Sequence, residues 1–304
     1  MAASSPVCLP RGTCDRYARL SLYNSPYPAH DAGRAVDLYP GSERAPSPVA
    51  GTVRETLATG APTRRGADEE DHLLLVDVDR AASGLGEGPP LVARLLHVDP
   101  GVSRGDRVAV GEDLGRLVDS GYFAPWVEPH LHLGVRPPDR NLRRASGSLP
   151  VELGVDPTPL SWDGHGRVVA TGETWVWLDA PAAGGEWVGL GVDGDDTPVL
   201  DGGVPHYAAG GALGPGADGP VSLFGTTVGD RTGRRVAWRE VEVWLAGEHT
   251  DARPAVGLSL CLARDGAGAK VVAPDHPFAV GDAVRVGIRA GERPRLGRPD
   301  PRGP

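Results

Sequence analysis

The sequence is poor in several residue types that large proteins usually contain. It has three Phe, one Met and a single lysine, Lys270. It has no apolar run near the roughly 20 residues that cross a bilayer, and no basic start followed by an apolar stretch. We therefore expect a cytoplasmic protein with no membrane partner. A net charge of -9 argues against a nucleic-acid partner, because such a protein needs a basic surface.

Cysteine is also scarce. The three cysteines, Cys8, Cys14 and Cys261, are too few and too widely spaced to indicate a disulfide framework. Cys8 and Cys14 could pair with each other. Small, partly buried thiols are the simpler interpretation of all three.

Turn-forming residues, by contrast, are abundant. With 44 Gly and 30 Pro, the sequence favours many short strands joined by tight turns over long helices. A hydrophobic fraction of 40% is enough for a packed core. We therefore expect an all-β protein with domains at 20–162 and 165–290. An N-terminal extension, 1–19, and a disordered tail, 291–304, are expected to flank them.

Strand-like patterns recur in both halves of the chain. In the first half, "DHLLLVDVD" (71–79) and "LVARLLHVD" (91–99) are strand candidates, and the acidic run at 67–71 is expected to be a solvated loop. In the second half, apolar residues alternate with small or polar ones at 256–262 and 284–288. This alternation predicts a second β domain, of the sandwich type.

The stretch "EPHLHLGV" (128–135) places two histidines two residues apart. On a strand, residues i and i+2 point to the same side, so His130 and His132 would share one surface while Leu131 and Leu133 face the core. Two neutral imidazoles side by side suit a divalent metal, or one ligand beside one proton carrier. Two polar side chains without a metal are the alternative.

Three more polar residues stand in distant segments of the same half. They are His30 and Asp37 in "AHDAGRAVDLYPG" and His97 in "RLLHVDPG". Each alone fits a simpler role: an exposed loop histidine, a turn aspartate and a core histidine. Together with the histidine pair, they are the residues expected of a site assembled by folding.

The region from about 30 to 160 resembles the lysostaphin/LytM-type zinc endopeptidases, which have the duplicated-hybrid-motif β fold. The matching pieces occur in the family's order. They are "HDAGRAVDLYPG", "APSPVAGTVRET", "ARLLHVDPGVSRGDRVAVGEDLGRLVDSG", "PHLHLGV" and "VDPTPL". The resemblance covers nearly half of the chain and implies a barrel-like peptidase domain followed by the second β-rich domain.

The resemblance also implies the role of each candidate residue. His30, Asp37 and His132 would bind Zn²⁺, and two imidazoles with one carboxylate leave a tetrahedral zinc one open position for water. Zinc lowers the pKa of that water from about 15.7 to roughly 7. His97 and His130 would flank it; one would accept a proton and the other would stabilise the oxyanion. The expected reaction is hydrolysis of a peptide bond.

The expected substrate is a peptide, since members of that family commonly cut peptide cross-links of bacterial cell walls, often at glycine. The C-terminal domain is a candidate for positioning the substrate or for binding a protein partner. Aromatic residues just before the histidine pair, Tyr122, Phe123 and Trp126, either line the cleft or pack under a loop.

Two features depart from the family pattern. The first ligands are usually four residues apart, as H-x-G-x-D, whereas His30 and Asp37 are seven apart. The family's histidine strand commonly continues with Phe and Glu, where this chain has Leu133 and Gly134. The second change removes a carboxylate that could orient an imidazole from outside the ligand set.

Two other functions are compatible with the residues. One is a non-catalytic LytM-like module that binds a partner and regulates another enzyme. The other is a phosphocarrier in which His97 or His130 accepts phosphate. The phosphocarrier is disfavoured because Asp37 beside these histidines would repel a phosphoryl group.

Overall fold

Almost all regular structure in the protein is β-strand, as the composition predicts. The computed structural model describes residues 5–182, 186–194, 197–264 and 268–292. Nearly all of the predicted tail, 291–304, and the first four residues of the predicted extension lie outside these ranges.

The chain divides into two units, in agreement with the two β domains expected from the sequence. Among the described residues, the N-terminal unit consists of 5–22 and 27–155. The C-terminal unit consists of 156 onward together with the short segment 23–26. No helix in the described ranges is long and apolar enough to cross a membrane.

The N-terminal unit contains two one-turn helices and twelve strands. The helices are α1 (Arg11–Cys14) and α2 (Pro28–Asp31), and the strands are β1 (Val7–Leu9), β2 (Arg19–Ser21), β3 (Val36–Tyr39), β4 (Arg44–Pro46), β5 (Gly51–Gly60), β6 (Glu70–Val78), β7 (Val92–Leu96), β8 (Val98–Pro100), β9 (Arg107–Val108), β10 (Asp113–Leu117), β11 (Leu131–Arg136) and β12 (Val151–Leu153).

Seven of these strands are neighbours in the order β2-β3-β11-β7-β6-β5-β9, and every pairing between them is antiparallel. A smaller sheet has the order β4-β10-β8. The long hairpin of β5 and β6 and the strands next to it carry apolar residues that are deeply buried. They include Val53, Leu74, Leu95, Leu131 and Leu133. Four of the candidate residues lie on or directly beside strands of this sheet: Asp37, His97, His130 and His132.

The described residues 5–19 are part of this unit and do not form a separate extension. β1 pairs in parallel with β12, with Val7 opposite Val151. Cys8 on β1 and Cys14 at the end of α1 are both free thiols, but Cys8 is exposed and not partly buried as the simpler interpretation predicts. Cys14 is buried, and burial raises the pKa of its thiol to about 12, so it is an inert core residue.

The C-terminal unit contains fifteen strands among its described residues. They are β13 (Thr158–Leu160), β14 (His165–Gly172), β15 (Trp175–Leu178), β16 (Val188–Leu190), β17 (Val199–Val204), β18 (Ala209–Leu213), β19 (Gly219–Leu223), β20 (Thr226–Thr232), β21 (Arg235–Trp238), β22 (Val241–Gly247), β23 (Thr250–Ala255), β24 (Gly257–Leu260), β25 (Leu262–Ala263), β26 (Lys270–Val272) and β27 (Ala283–Ala290).

Twelve of them follow one another in the order β19-β20-β21-β18-β17-β24-β26-β15-β14-β27-β22-β23. Their inward side chains form one hydrophobic core, in which tryptophan packs against glycine. Trp238 lies over Gly210, where a Cβ atom would come within 2.1 Å of the indole.

The single lysine of the sequence has an unusual place in this unit. Lys270 is buried on β26, and its Nζ lies 4.8 Å from the ring centre of Trp175 and 5.6 Å from that of Trp177. Such placement over indole faces stabilises a cation that has left bulk water.

Candidate metal centre

Strand register places two of the candidate ligands directly opposite each other. Asp37 on β3 pairs with His132 on β11, and His132 pairs in turn with Leu96 on β7. Residues opposite each other on adjacent strands point to the same side of the sheet. Asp37 and His132 therefore share one surface, at the same level along their strands.

His30 reaches the same point from outside the sheet. It lies on α2, a helical turn that starts at Pro28, and its side chain is buried rather than exposed as a loop histidine would be. After α2, the chain turns at Gly33, whose φ of 59° suits glycine, and enters β3. The helical turn takes up the three extra residues that separate His30 from Asp37.

The three predicted ligand atoms converge closely. His132 Nδ1 lies 3.0 Å from Asp37 Oδ1, His30 Nε2 lies 3.3 Å from the same oxygen, and the two nitrogens are 3.1 Å apart. With zinc–ligand bonds of about 2.0–2.1 Å, neighbouring ligands at tetrahedral angles are about 3.3 Å apart. The spacing and the donor types, two imidazoles and a carboxylate, therefore fit a zinc ion. No other group of this kind occurs among the described residues.

A backbone group that is not one of the three predicted ligands determines the tautomer of His30. Its Nδ1 lies 2.9 Å from the carbonyl oxygen of Leu22, so Nδ1 carries the hydrogen and donates it. Nε2 of the neutral ring then directs its lone pair toward His132 Nδ1, at 3.1 Å, and Asp37 Oδ1, at 3.3 Å. A backbone carbonyl behind a histidine ligand is a usual partner at metal sites.

The protonation states also suit metal binding. Burial alone would raise the pKa of Asp37, but its contacts with His30, His130 and His132 hold it well below its ordinary value. Burial lowers the pKa of His132 to about 3, although Asp37 acts in the opposite direction. An ionised carboxylate and a neutral imidazole are the forms that bind a divalent metal.

His130 lies beside this group, in contact with aromatic residues. Its Nδ1 donates to the carbonyl oxygen of Glu128 at 2.8 Å, and its Nε2 lies 3.4 Å from Asp37 Oδ1. The ring stacks on Phe123 with ring centres 4.5 Å apart and also contacts Tyr39. His130 is therefore held in one orientation next to the metal-binding group.

His97 lies between β7 and β8 and approaches from the neighbouring strand. Its ring centre is 5.5 Å from that of His130 and 6.1 Å from that of His132. Phe123 packs edge-on against it at 4.6 Å. The fold thus brings all five predicted residues, from three distant segments, around one point.

Two further residues of this site are not among those predicted from the sequence. Asp71 Oδ2 lies 2.6 Å from His97 Nδ1, and the Ser120 hydroxyl donates to the same oxygen at 2.6 Å. Both side chains are fully buried. Burial would raise the pKa of Asp71, but His97 and hydrogen bonds from His97, Ser120 and the amide of His72 hold it well below its ordinary value.

The expectation that the acidic run at 67–71 is a solvated loop was therefore wrong at its last residue. Asp71 belongs to β6, and it lies two residues before Leu73 and four before Leu75, which are both buried. The period of two thus places Asp71 on the same inward face as these leucines. That pattern in the sequence could have identified it.

The departure at Gly134 also has a structural basis. A Cβ atom at this position would come within 2.7 Å of the Ser148 hydroxyl, so Ser148 occupies the space of a side chain. No carboxylate can therefore orient an imidazole from position 134.

Of the three aromatic residues before the histidine pair, Phe123 packs against the candidate site. It contacts both His97 and His130. Tyr122 instead donates from its hydroxyl to the carbonyl oxygen of Gly60, and Trp126 is buried.

Comparisons with known proteins add a family but no activity. The model of the N-terminal domain of DUF8155, a domain of unknown function, matches residues 8–153, and that of the DUF8155 C-terminal domain matches 158–289. No curated protein and no solved structure matches the chain. The two models match in order and together span most of the sequence, so the chain belongs to the DUF8155 family.

Proposed function

We propose that the protein is a zinc-dependent metallopeptidase that hydrolyses peptide bonds. The observation that carries the proposal is the convergence of His30 Nε2, Asp37 Oδ1 and His132 Nδ1 within 3.0–3.3 Å of one another. The ordered resemblance of residues 30–160 to the lysostaphin/LytM-type endopeptidases supports it independently.

The donor set favours zinc over harder ions. Two imidazoles and one carboxylate suit zinc, whereas magnesium and calcium prefer oxygen ligands alone. When bound, zinc supplies a Lewis acid that polarises a carbonyl group and makes water a stronger nucleophile near neutral pH. His30, Asp37 and His132 would hold it.

The residues around this group supply the proton chemistry. Both His97 and His130 carry their hydrogen on Nδ1, because Asp71 and the Glu128 carbonyl accept from those atoms. Each neutral ring therefore has its lone pair on Nε2. Such a nitrogen can accept a proton during attack on the substrate carbonyl and return it to the leaving amine.

The substrate class follows from the resemblance rather than from a pocket. Peptides of the cell-wall type, with glycine at the scissile bond, are the first substrates to test. Phe123 at the site offers an apolar surface against which a peptide could lie.

Elemental analysis of the purified full chain tests the metal, and hydrolysis of a fluorogenic pentaglycine peptide and of casein tests the reaction. We expect about one zinc per chain and peptide cleavage that a chelator abolishes and added zinc restores. His130→Ala should keep zinc and lose turnover, since His130 is outside the set of three ligands.

Two outcomes would contradict the proposal. A chain that purifies and refolds without binding zinc would instead fit the non-catalytic binding module. A chain that binds one zinc but cleaves neither substrate would retain the metal centre and lose the peptidase assignment.

A further inference from the structure

We propose that Asp71 is a positioning residue that fixes His97, and that His97 rather than His130 presents the proton-accepting nitrogen of the site. The inference rests on the proposed function, because it assigns a role within that reaction. Its first support is the complete set of hydrogen bonds around Asp71.

Asp71 accepts four hydrogen bonds. Its Oδ2 faces His97 Nδ1 and the Ser120 hydroxyl, each at 2.6 Å. Its Oδ1 accepts from the backbone amides of His72 at 2.7 Å and His97 at 3.1 Å. The Ser120 oxygen accepts from the amide of Tyr122, so its own hydrogen is free to point at Asp71.

These contacts fix the tautomer of His97. Three of the four partners donate hydrogen bonds: the amides of His72 and His97 and the Ser120 hydroxyl. A buried carboxylate surrounded by donors is ionised, and an ionised carboxylate only accepts hydrogen bonds. His97 Nδ1 must then carry a hydrogen and donate it. The lone pair of the neutral imidazole is left on Nε2, as in other carboxylate–histidine pairs.

The backbone of His97 is held by the same carboxylate. His97 has a φ of 67°, in the left-handed region that non-glycine residues rarely adopt. Its amide donates to Asp71 Oδ1 while its ring donates to Oδ2. One side chain thus holds both the strained backbone and the ring, which is the arrangement expected where orientation matters.

His97 and His130 differ in the contacts of their Nε2 atoms. His130 Nε2 lies 3.4 Å from Asp37 Oδ1, next to the predicted metal ligands. His97 Nε2 makes no hydrogen bond with any described residue, and its Nδ1 is backed by a full negative charge rather than a carbonyl. His97 is therefore the ring with an available acceptor nitrogen and a partner that stabilises the proton it gains.

The test is the tautomer of His97, read from long-range ¹H–¹⁵N spectra of the zinc-loaded full chain and assigned by the signal lost in His97→Gln. We expect the Nδ1–H form in the unmodified protein. Asp71→Asn places an amide where the ring donates, so it should convert His97 to the Nε2–H form. Zinc content should stay at one per chain, and kcat should fall about 100-fold or more with a smaller change in KM.

Ser120→Ala is the milder companion variant, because it removes one donor to Asp71 and leaves the carboxylate in place. It should keep the Nδ1–H form of His97 and reduce kcat less than Asp71→Asn does. An Nε2–H form in the unmodified protein would overturn the proposal, as would an unchanged His97 signal in folded Asp71→Asn. If no peptide is cleaved, the spectra still decide whether Asp71 fixes His97, so failure of the peptidase assignment is separable.

Discussion

Each unit of the protein contains a histidine whose imidazole is held neutral, yet the two histidines have different surroundings. Burial lowers the pKa of both His132 in the N-terminal unit and His206 in the C-terminal unit to about 3. His132 lies against Asp37 and His30, whereas His206 packs on Tyr207 and over Gly203 and Gly257. Burial thus makes an imidazole neutral, but a metal site also needs donors that converge on it.

The comparison predicts that replacing His132 lowers the affinity for zinc, whereas replacing His206 does not. His132→Ala removes a ligand, so zinc affinity should fall by more than the about 10–100-fold that is typical for loss of an outer-shell partner. His206→Gln is the matched control and should leave affinity unchanged. Competition with a chromophoric chelator measures both. Equal affinity for zinc in His132→Ala and the unmodified chain would remove His132 from the ligand set.

The depressed pKa of His206 predicts an acid-sensitive stability. Between about pH 6.5 and 3, the unfolded chain binds a proton at this histidine and the folded chain does not. The free energy of unfolding should therefore fall as the pH drops through this window, by about 1.4 kcal/mol per pH unit from this group. Urea unfolding at pH 7.5 and 5.0, followed by tryptophan fluorescence, measures the loss.

His206→Gln should make that dependence shallower, by about 2 kcal/mol over the interval from pH 7.5 to 5.0. His165→Gln, at an exposed position, provides the control for replacing a surface histidine. An identical slope in the unmodified chain and in His206→Gln would show that His206 is protonated in the folded state as readily as in the unfolded state.

A smaller effect is expected from the tryptophan packing of the C-terminal unit. In Gly210→Ala, the new Cβ would lie 2.1 Å from Trp238 Cζ2 and 2.8 Å from the carbonyl oxygen of Asp201. Overpacking of this kind costs about 1–3 kcal/mol of stability. Gly60→Ala is the control, because nothing lies within 4 Å of its Cβ position. Zinc affinity should be unchanged in both, and a loss of stability confined to Gly60→Ala would contradict this account.

Much of the N-terminal architecture was predictable from local patterns. Strands β6 and β11 occur where "DHLLLVDVD" and "HLHLGV" alternate or cluster apolar residues. The five candidate residues were found because the histidine pair and the order of motifs resemble a known family. Composition and turn residues were sufficient to predict the all-β class.

The remaining features depend on contacts between distant residues, which no local pattern contains. The partnership of Asp71 with Ser120 joins residues 49 positions apart, and the Leu22 carbonyl behind His30 depends on how the chain turns before α2. His206 stands in no recognisable motif. The cystine-free state of Cys8 and Cys14 was predictable only as the simpler of two possibilities.

The place of Lys270 gives the folded protein a surface almost without primary amines. Because the only lysine is buried beneath two indoles, amine-reactive dyes and aldehyde cross-linkers have no lysine to modify until the C-terminal unit opens. The rate at which such a reagent labels Lys270 then measures the rate of that opening.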